Sequence, residues 1–220
     1  MNVAGQPAHL SVNQLTKKFG VHTIFNPVSF DLEAGQIAVL TGANGSGKTT
    51  LLTCIAGLLP ADSGSVSVLG YDLYREEVEV RKRMIFVPDV PRFYSELTAW
   101  EHLQFIAMAN NASAGFEAKA EALMKRFSLW QARDLFPHHY SRGMRLKLGL
   151  LMALMRPFDV LLLDEPASAL DEQGQGELID LLRSLKANGA ALLLSSHHLP
   201  LAEGVADRRL RLDDANLIED

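Results

Sequence analysis

The sequence lacks several features that define whole classes of protein. It has one cysteine, Cys54, in 220 residues, which excludes an intrachain disulfide framework and a cysteine-rich metal site. No apolar run approaches the roughly 20 residues that a membrane-spanning helix needs, because Lys147 interrupts Leu146–Met155 and a polar break separates that stretch from Val160–Leu163. The segment Met1–Gly20 contains no apolar run of the secretory type. We therefore expect a chain that is soluble by itself and remains in the cytoplasm.

An excess of positive charge is also missing. The 21 Lys and Arg residues are outnumbered by 26 Asp and Glu residues, which gives a net charge of −5 and a pI near 5.8. This balance provides no overall basic footprint for nucleic acid, and we expect no nucleic-acid partner. Hydrophobic residues (48%) and charged residues (21%) are in the usual globular range, which excludes a disordered, collagen-like or coiled-coil chain. Without internal repeats or low-complexity linkers, residues 1–220 are predicted to form a single domain.

Strand and helix patterns alternate at both ends of the chain, which predicts an α/β core with a mostly parallel sheet. The predicted strands are Leu10–Lys17, Val28–Leu32, Ile37–Leu40, a strand containing Val66 and Val68, Met84–Val87, Val160–Leu163 and Ala190–Leu194. The predicted helices run from Gly47 to about Leu58, onward from a capping box at Thr98, from about Phe116 to Phe127, from near Ser141 to before Pro157, and over Gln173–Ala187. The middle of the chain is helical, so we predict a core of about residues 1–89 and 157–220 with a helical subdomain inserted at about 90–156.

A phosphate-binding loop follows the predicted strand Ile37–Leu40 and opens the next helix. The motif G-x-x-x-x-G-K-[ST] is matched at every fixed position by Gly42, Ala43, Asn44, Gly45, Ser46, Gly47, Lys48 and Thr49. Glycines let the backbone N–H groups approach a phosphate, and the helix N-terminus favours the anion. Lys48 is expected to contact the β- and γ-phosphates, Thr49 to bind Mg²⁺, and Thr50 to belong to the same binding set. A chance glycine-rich turn is disfavoured by the flanking strand and helix.

Two carboxylates follow the buried strand Val160–Leu163. Ligands of open α/β sheets bind at the carboxyl ends of the strands, which is where Asp164 and Glu165 are expected to lie. Asp164 is predicted to hold Mg²⁺ through water, and Glu165 to orient or deprotonate an attacking water. Two solvated acids in a turn closed by Pro166 are the alternative. Together with the phosphate loop, the pair indicates an enzyme that hydrolyses a nucleoside triphosphate.

Four further segments resemble the motifs of ABC transporter nucleotide-binding subunits. The run 140–144, Tyr-Ser-Arg-Gly-Met, resembles the family signature, and Ser168-Ala169-Leu170-Asp171 resembles its D-loop. The segment 195–197, Ser-Ser-His, resembles the switch-histidine segment, and Phe19 stands where the family places an aromatic residue that stacks on adenine. The resemblance covers about Leu10 to Leu212.

This resemblance implies a fold, cofactors, partners and site residues. The fold is a P-loop NTPase core with an N-terminal antiparallel β part and the inserted helical subdomain. ATP and Mg²⁺ are the implied cofactors, and two nucleotide-binding subunits, identical or different, would close head to tail around two ATP molecules. An integral membrane permease, contacted by the helical insertion, would hold the subunits at the inner face of the cell membrane. ATP is then contacted by the phosphate loop of one subunit and by the signature of the other. The resemblance implies that His197 is a catalytic contact to the γ-phosphate. The further implied ATP-binding residues are Phe19, Ser141, Arg142, Gly143 and Asp171.

Simpler interpretations of single residues remain open. Ser141 alone would be an ordinary helix N-cap, and Phe19 could be an edge-strand core residue. His197 alone would be a core histidine, which is also our interpretation of His198. A soluble ABC-type ATPase with a regulatory role is the alternative to transport.

Three positions depart from the family pattern. Asp89 replaces a glutamine after the Met84–Val87 strand, and Arg142 and Met144 replace a glycine and a glutamine of the signature. The resulting Tyr-Ser-Arg-Gly-Met run resembles a subgroup, often of exporters, that pairs with separate permeases. We predict that Asp89 reaches Mg²⁺ through a water, because a carboxylate only accepts hydrogen bonds. A solvent-exposed loop acid is the alternative.

Overall fold

Two β-sheets organise residues 7–197 and 203–220, which are the residues that the computed structural model describes. The strands are β1 (Leu10–Phe19), β2 (His22–Leu32), β3 (Ile37–Thr41), β4 (Ser63–Val68), β5 (Tyr71–Asp72), β6 (Met84–Val87), β7 (Val160–Asp164), β8 (Ala191–Ser195), β9 (Arg208–Asp213) and β10 (Asn216–Glu219). The helices are α1 (Lys48–Ile55), α2 (Glu77–Arg83), α3 (Ala99–Ala109), α4 (Phe116–Arg126), α5 (Arg142–Leu154) and α6 (Glu172–Ala187).

The larger sheet carries the ends of the strands that matter for function. Its order is β10-β9-β3-β8-β7-β6, and every pairing is parallel except that of β9 with β10. Residues of β7 and β8 are buried throughout, as the unbroken leucine runs of a central parallel strand require. Because the strands are parallel, the segments that follow β3, β6, β7 and β8 emerge at one edge of the sheet. This arrangement confirms the predicted α/β core with a mostly parallel sheet.

The smaller sheet is antiparallel and has the order β2-β1-β4-β5. Its buried residues share a core with one side of the larger sheet and with α1. Strands β1 and β2 form a tight hairpin in which Phe19 pairs with His22. The hairpin places Phe19 at its tip, and it confirms the antiparallel N-terminal part.

A group of helices separates β6 from β7. Helix α3 begins at the predicted capping box, where the Thr98 hydroxyl accepts from the Glu101 backbone N–H and the Glu101 carboxylate accepts from the Thr98 N–H. Helices α3, α4 and α5 bury their apolar faces in one core with the other side of the larger sheet. In the part of the chain with described coordinates, no helix is long and apolar enough to cross a membrane.

Several element boundaries differ from the sequence prediction. Helix α1 ends at Ile55 rather than near Leu58, because Gly57 takes a left-handed φ of 69° and starts a Schellman cap in which the Leu58 N–H donates to the Thr53 carbonyl. Strand β2 begins six residues earlier than predicted, because its first residues pair with β1 directly after the hairpin turn at Gly20. Elements α2, β5, β9 and β10 were not predicted.

Candidate active site

The phosphate loop connects β3 to α1 and depends on glycine at two positions. Gly42 and Gly47 have φ values of 147° and 105°, in the region that disfavours residues with a Cβ. A Cβ on Gly42 would lie 2.5 Å from the Leu212 carbonyl oxygen, and one on Gly47 would lie 2.8 Å from a methyl of Ile24. The loop therefore requires the glycines both for its dihedral angles and for the close approach of β9 and β2.

Lys48 is the first residue of α1 and is 7% exposed. Its Nζ donates to the carbonyl oxygens of Gly42 and Ala43, at 2.9 and 3.1 Å. These bonds hold the ammonium group inside the curve of its own loop. An ammonium group held there supplies the positive charge that a triphosphate needs.

A second, independent observation also indicates that the residues of the loop fit a phosphate. The Ser46 hydroxyl is buried and has no hydrogen-bond partner among the described residues. A buried polar group without a partner is costly, so its presence in the loop that also holds the Lys48 ammonium group favours an anion that completes the loop. The remaining predicted loop residues, Ala43, Asn44 and Gly45, are exposed, and Thr50, on the first turn of α1, is half-buried.

Thr49 and Asp164 meet as predicted. The Thr49 hydroxyl lies 2.9 and 3.1 Å from the two carboxylate oxygens of Asp164. Asp164 ends β7, is 3% exposed, and also accepts from the Ser195 hydroxyl at 2.6 Å. This set of hydroxyl and carboxylate oxygens has the hard-oxygen chemistry that Mg²⁺ prefers.

Glu165 and His197, which the sequence analysis assigned to separate tasks, lie in contact. His197 Nδ1 lies 2.8 Å from Glu165 Oε2, and the His197 backbone N–H donates to the same oxygen at 3.3 Å. Because an ionised carboxylate only accepts, Nδ1 carries the proton in this contact, and Nε2 lies on the opposite side of the ring. Glu165 has a φ of 47°, which is rare for a residue with a side chain and is found mostly at functional positions. His197 is exposed, so it is not a core histidine, and His198 lies outside the described residues.

Ser195 is a site residue that the sequence analysis did not single out. It is fully buried at the end of β8, and in the parallel register it pairs with Asp164. Its hydroxyl donates to the Asp164 carboxylate and accepts the Glu165 backbone N–H at 2.9 Å. One serine therefore orients both acids, and the signal that could have found it is its place at the end of the neighbouring strand.

The signature segment lies at the N-terminus of α5. Ser141 is the N-cap, and its hydroxyl accepts from the Met144 backbone N–H at 3.2 Å, so the N-cap interpretation is confirmed as a structural role. Gly143 packs tightly, because a Cβ there would lie 2.4 Å from the Ala169 carbonyl oxygen. Helix α5 has no acidic residue in its first turn, so none of its own side chains compensates the positive end of its dipole.

The remaining predicted residues lie at separate points around this edge. Asp171 caps α6 by accepting from the Gly174 N–H at 3.0 Å; this bond, and then the charge of Lys147 3.6 Å away, lower the pKa of the Asp171 carboxyl. Phe19 is 49% exposed, so it is not a core residue. Asp89 contacts Arg142 and Ser168 rather than the Thr49–Asp164 pair, and its predicted role at Mg²⁺ stays a prediction.

The comparisons with known proteins agree with this geometry. The ABC transporter family model matches residues 25–168, well over half of the chain. The chain therefore belongs to the ABC transporter family of ATP-binding, ATP-hydrolysing domains.

Individual relatives place it among ATP-binding subunits. The chain is 34% identical to the ABC-type transporter ATP-binding protein EcsA of Bacillus subtilis over 90% of this chain and 81% of that protein. It is 36% identical to the putative HMP/thiamine import ATP-binding protein YkoD of Bacillus subtilis, in a match that covers 96% of this chain and 38% of that protein. It is 31% identical to the linearmycin resistance ATP-binding protein LnrL of Bacillus subtilis, in a match that covers 95% of this chain and 68% of that protein. A solved ATP binding subunit of an ABC transporter superposes with a TM-score of 0.90 at 31% identity, covering 96% of this chain and 89% of that one.

Proposed function

We propose that this chain powers a membrane permease, and that two such subunits close head to tail around ATP and Mg²⁺ to do so. The observation that carries the proposal is that the chain holds two separate halves of a nucleotide site. Lys48, Thr49, Asp164 and Glu165 gather at the carboxyl edge of the large sheet. The N-terminus of α5, with Ser141 and Gly143, forms the second half. A second subunit would bring its α5 to the phosphates held by the first.

Within this arrangement each residue of the sheet edge has a task. Thr49 and Asp164 would hold Mg²⁺, with Ser195 keeping the carboxylate in place. When Mg²⁺ is bound there, it neutralises charge on the β- and γ-phosphates. Lys48 stabilises the charge that develops on the transferred phosphoryl group. Glu165 accepts the proton of the attacking water, and His197 holds that carboxylate through Nδ1–H. With a proton on Nε2 as well, the other side of the same ring would donate to the γ-phosphate.

A permease is the partner that the surface beside the helical subdomain supports. An open groove lies between the end of β6 and α5, and its apolar lining includes Val87, Pro91, Ile106 and Met152. Nearby, α3 exposes Phe105 and Met108, which are 44% and 63% accessible. Helix α3 thus contributes Ile106 to the groove and exposes further apolar side chains, and exposed apolar surface is typical of a protein interface. The partner would hold this subunit at the cytoplasmic face of the cell membrane.

Export is the direction that we propose, on the strength of the Tyr-Ser-Arg-Gly-Met run and the likeness to a resistance protein. The test is to isolate the chain from membranes of its own host and identify what remains bound. A partner with several apolar spans, whose removal abolishes efflux of its cargo, is expected. Recovery of the chain only from the soluble fraction, with no such partner, would favour the soluble regulatory ATPase.

Phe19 gives a separate test of where the adenine lies. Replacing Phe19 with alanine should weaken ATP binding by about 1–3 kcal/mol, the value of stacking a base on an aromatic ring, and should change the maximal rate less. Lys17 Nζ lies 5.3 Å from the centre of the Phe19 ring, so the ring is already held at one side. ATP titration by calorimetry measures the effect. Val21→Ala is the matched control, since Val21 is 91% exposed in the same hairpin turn; equal affinities for both variants would refute the stacking role.

A further inference from the structure

Three side chains from distant parts of the sequence meet beside the candidate site. Arg142 Nη2 lies 2.8 Å from each carboxylate oxygen of Asp89 and 3.3 Å from the Ser168 hydroxyl. The Ser168 hydroxyl also donates to Asp89 Oδ1 at 2.7 Å. The Asp89 carboxylate is thus the acceptor that joins the other two side chains. We call these three residues the Asp89 cluster.

The cluster connects three structural elements that take part in the proposed reaction. Asp89 follows β6, at the point where the chain leaves the sheet for the helical subdomain. Arg142 is the first residue of α5, beside the signature serine. Ser168 lies in the turn after β7, and its backbone N–H donates to the Glu165 carbonyl at 3.1 Å. A displacement of α5 would therefore reach the turn that carries Glu165.

The two charged members are both departures from the family pattern. A glycine in place of Arg142 could not reach the end of β6, and a glutamine in place of Asp89 would bring no charge to an arginine. The contact therefore depends on both departures together. This dependence explains in one step two substitutions that the sequence alone leaves unrelated.

We propose that Asp89 is a positioning residue for ATP hydrolysis, which acts through Arg142 and Ser168 to fix the turn of Glu165 relative to α5. This inference rests on the proposed function, because it assumes that Glu165 is the base. Arg142 and Asp89 are 56% and 30% exposed in their side chains, so an ion pair between them contributes little to folding. Its effect is expected in the geometry of the reacting groups, where small displacements strongly reduce rates.

The test is a double-mutant cycle with Asp89→Ala, Arg142→Ala and the double variant, in the full chain. Each single variant should lower kcat about tenfold, in the range of coupling between contacting residues, with little change in KM for ATP. The double variant should fall no further than the lower single variant. The Mg²⁺ concentration for half-maximal rate should stay at the wild-type value in all three.

Hydrogen exchange gives a readout that does not depend on activity. Peptides covering residues 165–171 should exchange faster in both single variants, whereas peptides from the buried strand β7 should not change. Asp89→Asn should behave as Asp89→Ala does, because an amide cannot replace the charge that holds Arg142. The ion pair of Arg81 and Glu77 on α2, 2.6 Å apart and with both side chains more than half exposed, is the control: removing both should leave kcat and exchange at 165–171 unchanged.

The possible outcomes separate this inference from its alternatives. A shifted Mg²⁺ midpoint in Asp89→Ala but not in Arg142→Ala would overturn it in favour of a metal role for Asp89. Additive losses in the double variant would also overturn it, since the residues would then act independently. Wild-type kinetics in both single variants would show only a surface ion pair. Failure of the proposed function is recognised differently: recovery of the chain without a membrane partner would refute transport, and a Glu165→Gln chain that hydrolyses ATP at the wild-type rate would refute the base.

Discussion

Replacing Glu165 with glutamine should reduce ATP hydrolysis by about 10²–10⁴-fold, the range for loss of a general base, while ATP binding is retained. The amide cannot accept the proton of the attacking water. The phosphate-binding groups stay in place, because Ser195 holds the turn through the Glu165 backbone N–H rather than through its side chain. The variant should accumulate as an ATP-bound dimer, which size-exclusion chromatography with ATP and Mg²⁺ detects. A phosphate-release assay measures the loss of hydrolysis.

Glu172→Gln is the matched control for this variant. It makes the same chemical change on an exposed residue at the start of α6, away from the contact with His197. Its hydrolysis rate should equal that of the wild type. A Glu165→Gln chain that hydrolyses ATP at the wild-type rate would show that Glu165 is not the base.

Replacing Lys48 with alanine should weaken binding and hydrolysis together. The ammonium group contacts the phosphates both before and during the reaction, so its loss affects ground state and transition state alike. Loss of a charge-assisted hydrogen bond costs about 1.5–3 kcal/mol in binding. Loss of one electrostatic stabiliser of the transition state lowers the rate about 10²–10³-fold. Calorimetric titration with ATP and a steady-state phosphate assay measure the two effects separately.

The control for this change is Lys82→Ala, which removes an exposed lysine that pairs with Glu79 on α2. It should leave both quantities at the wild-type value. If Lys48→Ala binds and hydrolyses ATP as the wild type does, the loop of residues 42–49 is not the phosphate site. The two variants thus separate groups with different tasks, because Glu165→Gln is expected to retain ATP and Lys48→Ala to lose it.

The phosphate loop and the acid pair could be predicted because their chemistry is local in sequence. Eight consecutive residues define the loop, and a buried strand followed by Asp164 and Glu165 defines the acids. The structure places Thr49 against Asp164, as a shared Mg²⁺ requires, and it adds a contact of Glu165 with His197 that the motifs did not predict. The parallel sheet explains why these motifs meet, since its strands bring the ends of β3, β7 and β8 to one edge.

Other parts of the fold carry too weak a local signal. In β9, the sequence Arg-Arg-Leu-Arg-Leu-Asp has two buried leucines among charged residues, and the strand is defined by its pairing with β3. Helix α2 buries only Val80 among its seven residues, so it has no apolar stripe to recognise. For both elements, packing against the rest of the domain outweighs the local pattern.

The Asp89 cluster could not be predicted, because no shared motif or ligand connects its members, which lie 53 and 26 residues apart in the chain. Sequence reasoning identified Asp89 and Arg142 as separate departures and assigned Asp89 to Mg²⁺. Only the three-dimensional arrangement shows that the carboxylate lies against the guanidinium. The role of Ser195 is a similar case, since its importance depends on the register of β8 against β7.

The most direct test of the head-to-tail proposal is a disulfide between two differently substituted chains. Ala43→Cys places a thiol in the phosphate loop and Ser141→Cys places one in the signature, each in a Glu165→Gln chain that retains ATP. The native Cys54 is buried and its pKa is raised to about 11, chiefly by desolvation, so its thiol does not compete. After mild oxidation, a cross-linked dimer should form only when the two variants are mixed, and only with ATP and Mg²⁺. Cross-linking by either variant alone, or equally without nucleotide, would contradict head-to-tail closure around ATP.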